Sequence, residues 1–172
     1  MNLRTATLAA SLAMAGIASG GAGVARAADA GPCAAPDHRQ FDFWLGDWQV
    51  HRSNGVLAGI NRITSEYGGC VIHERYATGR GYTGESLNVY DATRRVWHQT
   101  WVDSTGLLLT LEGGWNGQAM VMEGESLQPG GTRARQRITW TPSADGSVRQ
   151  LWESADPKGA WTVVFDGRYT RK

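Results

Sequence analysis

The sequence predicts an all-β protein: an up-and-down antiparallel β-barrel of about ten strands, with a short N-terminal helix capping one end. Beyond Gly46, apolar and polar residues alternate with period two, and nine turn signals rich in Gly, Asp, Asn and Pro divide the chain into strand-length segments. The links are too short for crossover helices, so neighbouring strands must pair antiparallel. Closing the sheet removes two long exposed edges, which favours a barrel over the alternative, a sandwich.

The first 27 residues have the pattern of a secretory signal peptide. Arg4 precedes an apolar run from residue 6 to residue 24, and Ala25-Arg26-Ala27 fits the cleavage-site pattern. The run is too rich in Gly, Ala and Ser for a membrane anchor, which needs roughly 20 strongly apolar residues; a retained membrane helix is the alternative. We therefore expect a periplasmic or secreted protein with no stable membrane insertion after cleavage.

Cleavage would remove 27 of the 172 residues and leave 145, which is enough for one domain with a real core. We expect a flexible leader over 28–36 and a single barrel domain over 37–172. Without Arg4 and Arg26, the 17 Lys and Arg fall to 15, against 16 Asp and Glu. This near-neutral balance is unlike that of a nucleic-acid-binding protein.

The chain has two cysteines, Cys33 and Cys70. An exported protein folds in an oxidising compartment, so the sequence predicts a Cys33–Cys70 disulfide. A metal pair or a catalytic thiol would need a partner motif, and none is found.

Each element follows from local signals. Pro36-Asp37 predicts the start of a short helix that runs through Trp44. Segments rich in Val, Ile, Leu, Thr, Trp and Tyr between the turn signals predict the strands. These strands are 46–53, 57–66, 70–78, 83–91, 95–103, 106–113, 118–126, 132–141, 146–154 and 160–170.

The alternation within these strands predicts a cavity. Taken together, the predicted inward faces of the strands carry tryptophans, methionines and a few amides, and in the last strand Trp161, Val163, Phe165 and Tyr169 share a face. An unpaired buried amide is costly, so a dry core rarely contains several. Water or ligand in a cavity would satisfy them; the alternative is that these amides face solvent. The predicted ligand-binding residues are Asn88, Tyr90, Trp97, Gln99, Trp101, Trp140, Gln150 and Trp152.

No catalytic motif is present in the sequence, and we predict no catalytic residue, metal site or cofactor. His73 and His98 could share a metal only if strand register brought them together. Glu66, Glu112 and Glu153 lie on predicted strands without a spacing that pairs them. Three arginines, Arg133, Arg135 and Arg137, alternate on one strand face, which is typical of the solvated side of a sheet; binding of an anionic partner is the alternative.

The stretch FWLGDWQV, in which Gly46-Asp47-Trp48 opens the first strand, resembles the G-x-W signature of lipocalins and the wider calycin barrels. This resemblance implies that Trp48 lies at the closed end of the barrel and stacks with a basic residue from the last strand. Arg171 is the best positional match and Arg168 the second. Such a cation–π contact contributes about 0.5–2 kcal/mol.

Longer stretches resemble a family of exported bacterial proteins labelled only as a domain of unknown function. They are GESLNVYD from Gly84, WHQTWVD from Trp97 and RQLWES from Arg149. The resemblance covers nearly all of 38–171 and implies a calycin-like barrel and an export signal, with no established activity. The predicted count of about ten strands is closer to that of fatty-acid-binding-protein and nitrobindin-like barrels than to the eight strands of true lipocalins. Nitrobindin-like proteins bind haem through a late His, and this chain has no His after His98.

From these observations we predict an exported barrel that binds a small, largely apolar or amphipathic ligand. Aromatic faces would hold the ligand, and the amides would orient its polar end. One alternative is an enzyme that uses the same cavity, a hydrolase or isomerase acting on a hydrophobic substrate; it requires a buried carboxylate or His with a perturbed pKa. The other is a filled structural or interaction barrel with no internal void.

Overall fold

Ten antiparallel strands close into a barrel in the computed structural model, which describes residues 31–128 and 130–172. Each strand pairs with the next in sequence, and β1 pairs with β10, with Trp48 opposite Arg171. The predicted meander barrel is confirmed. The strands are β1 (Gly46–Arg52), β2 (Leu57–Glu66), β3 (Val71–Ala77), β4 (Thr83–Asp91), β5 (Val96–Asp103), β6 (Leu108–Trp115), β7 (Met120–Leu127), β8 (Arg133–Pro142), β9 (Val148–Ala155) and β10 (Trp161–Arg171).

The predicted signal peptide and the first residues of the predicted leader lie outside the described residues. Within 31–128 and 130–172, no helix is long and apolar enough to cross a membrane.

The N-terminal segment crosses one end of the barrel. It forms two 3₁₀ helices, Pro36–Arg39 and Asp42–Trp44, where the sequence predicted one continuous helix. The backbone leaves helical geometry at Phe41, whose φ and ψ are −106° and 5°. A third 3₁₀ helix, Tyr67–Gly69, links β2 to β3, and the Cys33–Cys70 disulfide ties the N-terminal segment to this link.

Four aromatic side chains fill the end of the barrel under this segment. We call Phe41, Trp44, Trp97 and Trp140 the aromatic plug; all four are at most 2% exposed. Phe41 stacks on Trp44 with ring centroids 4.8 Å apart and meets Trp97 and Trp140 edge-on at 5.7 and 5.2 Å. Such contacts add about 0.5–1.5 kcal/mol each beyond area burial, so this end is a packed core.

Trp48 is fully buried beside the plug, and Arg171 and Gly46 lie next to it. The guanidinium carbon of Arg171 lies 4.1 Å from the centre of the Trp48 ring, and Arg171 Nη1 donates to the Leu45 carbonyl over 2.7 Å. Gly46 has a φ of 137°, which only glycine adopts readily, and a Cβ there would overlap the Arg171 guanidinium. Gly46 therefore permits both the bend into β1 and the stacking of Arg171.

The last strand differs from its predicted alternation. A β-bulge between Val163 and Phe165 shifts the register against β9, so residues before and after it face opposite sides. Phe165 and Tyr169 pack inward, whereas Val163 is 62% exposed and Trp161 lies on the outer surface. The prediction that all four share one face was wrong, because period-two alternation carries no sign of a bulge.

The outer face of β8 is neutralised by acidic neighbours. Arg133, Arg135 and Arg137 pair with Glu125, Glu123 and Glu153 respectively, at 3.3, 3.1 and 2.9 Å. Arg137 also stacks over Trp161 at 4.3 Å. This arginine row is the solvated side of the sheet, and its charges are compensated within the chain.

Candidate functional site

The half of the barrel away from the aromatic plug is hollow. A cavity of about 770 Å³ opens between the β1–β2 and β3–β4 turns and reaches to the middle of the barrel. Its deep part is lined by Glu74, Gln99, Leu109, Ile138, Gln150 and Tyr169, and its upper walls by Tyr76, Tyr82, Trp101, Trp152 and Phe165. Side chains of the described residues therefore do not fill the barrel completely.

The structure separates the predicted ligand-binding residues into two groups. Gln99, Trp101, Gln150 and Trp152 line the cavity. The other four, Asn88, Tyr90, Trp97 and Trp140, lie nearer the closed end and are not part of the cavity wall.

Contacts with the N-terminal segment account for two members of the second group. Trp97 Nε1 donates to Gln40 Oε1 over 3.1 Å, and the Tyr90 hydroxyl donates to Asp37 Oδ2 over 3.3 Å. Tyr90 and Trp97 lie at the ends of β4 and β5 that are nearest the plug. The inward face of each strand therefore borders the cavity at one end and the plug at the other.

A buried carboxyl group, that of Glu74, was not among the predicted site residues. Glu74 lines the cavity, yet the residue is only 3% exposed. Burial raises the pKa of Glu74 to about 7, although hydrogen bonds from Ser86 and Asn61 act in the opposite direction. The group is therefore poised to gain or lose a proton near neutral pH.

An oriented chain of hydrogen bonds leads to one oxygen of Glu74. Gln99 Nε2 donates to Asn88 Oδ1 over 2.9 Å, and Asn88 Nδ2 donates to Ser86 Oγ over 3.0 Å. Ser86 in turn donates to Glu74 Oε2 over 2.7 Å. Because an amide nitrogen can only donate, the hydroxyl proton of Ser86 is directed at the carboxyl group. Asn88 does not line the cavity, but its hydrogen bond orients the Ser86 hydroxyl towards Glu74.

The other oxygen of Glu74 is bound to the opposite wall. Asn61 Nδ2 donates to Glu74 Oε1 over 2.6 Å and lies 3.3 Å from the Tyr169 hydroxyl. That hydroxyl donates to Gln150 Oε1. Burial and the nearby Glu74 raise the pKa of Tyr169 well above its ordinary range, so this phenol stays protonated. A continuous polar network therefore spans the cavity floor.

The upper walls are aromatic, with their polar edges satisfied. Trp152 Nε1 donates to Gln136 Oε1 over 2.7 Å. Trp101 Nε1 and the Tyr82 hydroxyl both donate to Asp103 Oδ2, over 3.3 and 2.8 Å. These bonds fix the indole and phenol rings, so their apolar faces are presented to the cavity.

Position explains why Glu74 was missed. It follows His73 directly, and because neighbours on a strand face opposite ways, the two side chains cannot form one site. Glu74 instead lies on the inward face of β3 with Ile72 and Tyr76. A charged residue in an apolar row was the available signal.

The remaining histidine and carboxylate candidates lie outside the barrel. His73 contacts Glu66 and Glu85 at 3.3 and 2.9 Å, and His98 contacts Glu112 at 3.2 Å. Hydrogen bonds from Arg75 and Thr64 lower the pKa of Glu66 to about 2. Across 31–128 and 130–172, no group of three or more His, Cys, Asp or Glu side chains is arranged to hold a metal ion.

A scan against protein-family models and a search of curated proteins found no match for this chain. The fold and the cavity define its class: a closed, ten-stranded antiparallel up-and-down barrel, consistent with a calycin-like fold. Such a barrel is compatible with ligand binding.

Proposed function

We propose that this protein is an exported carrier or sensor that binds one small, largely apolar molecule in the open half of the barrel. The observation that carries the proposal is the cavity of about 770 Å³, whose size falls within the range of small-molecule sites, about 300–1,000 Å³. The Cys33–Cys70 disulfide agrees with folding in an oxidising compartment outside the cytoplasm.

The chemistry of the walls favours this function. Fixed aromatic rings, Trp101 and Trp152 among them, offer large contact area at little entropic cost, since their nitrogens are already hydrogen-bonded. The polar floor at Glu74, Gln99 and Gln150 would orient one polar group of the ligand. An apolar body with a single polar end fits this distribution.

Tryptophan fluorescence and melting temperature test the proposal directly. A library of lipids, haem and aromatic compounds at micromolar concentration is added to the purified protein. We expect at least one compound class to quench fluorescence and raise the melting temperature, because a ligand that binds only the folded state stabilises it. Native mass spectrometry of protein purified from its own host would show co-purified small-molecule mass.

Two matched variants locate the binding event. Trp101→Phe removes an indole from the cavity wall, whereas Trp161→Phe removes one from the outer surface. Quenching should weaken in the first variant and persist in the second. If no compound in the library shifts either signal, the binding function fails.

The buried carboxyl group supports a second candidate, an enzyme that uses the same cavity. Among the described residues, Glu74 is the one carboxyl group on the cavity wall, and its pKa of about 7 suits a general acid or base. The reaction class would be a proton transfer to or from a hydrophobic substrate, as in an isomerase or a hydrolase.

Turnover separates the two candidates. An enzyme consumes bound ligand catalytically, and its rate follows the ionisation of one group near pH 7. A carrier releases the same molecule unchanged. NMR spectroscopy and mass spectrometry of a ligand recovered after prolonged incubation, with Glu74→Gln as the inactive control, make this distinction, because NMR also detects isomers of equal mass. An unchanged ligand in both samples excludes the enzyme for that ligand.

A further inference from the structure

Glu74 is a buried carboxyl group with no cationic partner in the part of the chain that the structure describes. Among the described residues, no Lys, Arg or His forms an ion pair with Glu74, although fourteen such pairs occur elsewhere on the chain. Buried carboxylates are normally paired. Here both oxygens receive neutral donors, Ser86 and Asn61, and the remaining side of the group faces the cavity.

A second acceptor lies on the same floor. Gln99 Nε2 donates hydrogen bonds to Asn88 and Ser86. Gln99 Oε1 receives no hydrogen bond from the part of the chain that the structure describes. Gln99 lines the cavity, as does Glu74. The cavity floor therefore presents a carboxyl group and a carbonyl oxygen, both of which can accept hydrogen bonds from an occupant.

Aromatic rings surround the space above these acceptors. On the inner face, Glu74 opposes Ser86, and Ser86 opposes Trp101, whose ring lies over Gly84; a Cβ on Gly84 would overlap that ring. Tyr76 follows Glu74 on the same face of β3. Across the barrel, Tyr169 and Trp152 complete the wall. Aromatic faces attract organic cations through the negative charge of the ring face.

We propose that the occupant of this cavity is an apolar amine, whose ammonium group pairs with Glu74 and Gln99 on the floor while its hydrocarbon body fills the aromatic walls. This inference rests on the proposed binding function and names the chemical class of the ligand. A cation supplies the counter-charge that the carboxylate lacks, whereas a carboxylate ligand would place two negative charges together. Arg52 and Arg80 lie at the exposed mouth of the cavity, and neither forms an ion pair with Glu74 in the described residues.

Three compounds of equal shape test the class: phenylbutylamine, phenylbutanol and phenylbutanoate. Their affinities for the unmodified full chain are measured by calorimetry at a pH of about 8, where Glu74 is ionised and the amine is protonated. We expect the amine to bind about tenfold or more tighter than the alcohol, and the carboxylate to bind weakest. This comparison needs no variant.

Variants then assign the preference to Glu74. Glu74→Gln keeps the size of the side chain and removes its charge, so the preference for the amine should disappear while the alcohol still binds. Glu85→Gln is the matched control, because Glu85 is on the neighbouring strand, faces outward and contacts His73. It should leave all three affinities unchanged.

The outcomes separate this inference from the function on which it rests. If the alcohol or the carboxylate binds as tightly as the amine, the amine assignment is overturned and the binding function stands. If none of the three compounds binds but the uncharged apolar dye Nile red does, the assignment is again overturned alone. If Nile red also fails to bind, both proposals fail.

Discussion

Glu74 shows how a single residue acquires properties from its surroundings. An exposed glutamate is ionised at neutral pH, whereas burial under the aromatic walls holds this one close to half-protonated there. Ser86 and Asn61 limit the shift, because each donates a hydrogen bond that favours the charged form. The result is a carboxyl group that can meet a ligand in either protonation state.

This raised pKa predicts a pH-dependent stability. In the unfolded chain Glu74 ionises near 4.5, whereas in the folded barrel it keeps its proton up to about 7. Within that window the unfolded state holds fewer protons, so the free energy of unfolding falls as pH rises and levels off above 7. Between about pH 5 and pH 8 we expect a loss of about 2–3 kcal/mol from this group.

Urea denaturation of the wild-type protein and of Glu74→Gln at the two pH values measures this loss as a difference. The outward-facing Glu85→Gln is the control and should follow the wild-type profile. Identical pH profiles for wild-type protein and Glu74→Gln would show that Glu74 titrates normally.

Among the elements, the N-terminal segment covers one end of the barrel, while the other end stays open. Its two 3₁₀ helices supply Phe41 and Trp44 to the aromatic plug, and Gln40 and Asp37 bind the ends of β5 and β4. The disulfide holds the start of this segment against the β2–β3 link, where the Arg39 guanidinium also donates to the Gly69 carbonyl.

Removing the disulfide should destabilise the whole fold. Cys33 and Cys70 are 37 residues apart, and closing a loop of that length stabilises by about 4 kcal/mol in the chain-entropy model. We expect the Cys33→Ser/Cys70→Ser variant to lose up to this amount, measured by urea denaturation. Reductant should destabilise the wild-type protein similarly and leave the variant unchanged. If the urea midpoint of the wild-type protein did not change in reductant, with reduction verified by mass, the stabilising role of the disulfide would be contradicted.

At the scale of the molecule, the barrel divides into a half that carries stability and a half that is available for ligand. The plug and Trp48 are fully buried at the closed end, whereas Trp101 and Trp152 are half-buried on the cavity wall. Inward-facing tryptophans therefore stabilise the core at the closed end and line the cavity at the open end.

This division predicts opposite effects of two tryptophan truncations. Trp48→Ala should cost about 3–5 kcal/mol of unfolding free energy as a large-to-small core change, and it also loses the stacking of Arg171. Ligand affinity should change little, because Trp48 does not line the cavity.

Trp101→Ala is the counterpart, and we expect a smaller stability cost with most of the affinity lost. Denaturation and ligand titration of both variants provide the comparison. If Trp48→Ala abolished binding while its fold held, the assignment of the open end as the ligand end would be wrong.

Much of the fold follows from sequence pattern alone. Period-two alternation and turn residues locate ten strands, because side chains on a strand alternate sides and glycine-rich turns interrupt pairing. The bounds shift by a few residues, as in β6, which begins at Leu108 after a turn whose amides at Thr105 and Leu107 bind Asp103. Two cysteines in a chain whose first residues have the pattern of a signal peptide were sufficient to predict the disulfide.

Tertiary structure alone decided where along the barrel each inward residue lies. Trp97 and Trp101 share a face and differ only in depth, yet one packs under Phe41 and the other borders the cavity. Depth depends on how the strands stagger when the sheet closes and on where the N-terminal segment docks, and both are set by contacts distant in sequence. The environment of Glu74 has the same origin, because Asn61 and Ser86 donate to it from β2 and β4, and Asn61 in turn donates to Tyr169 of β10.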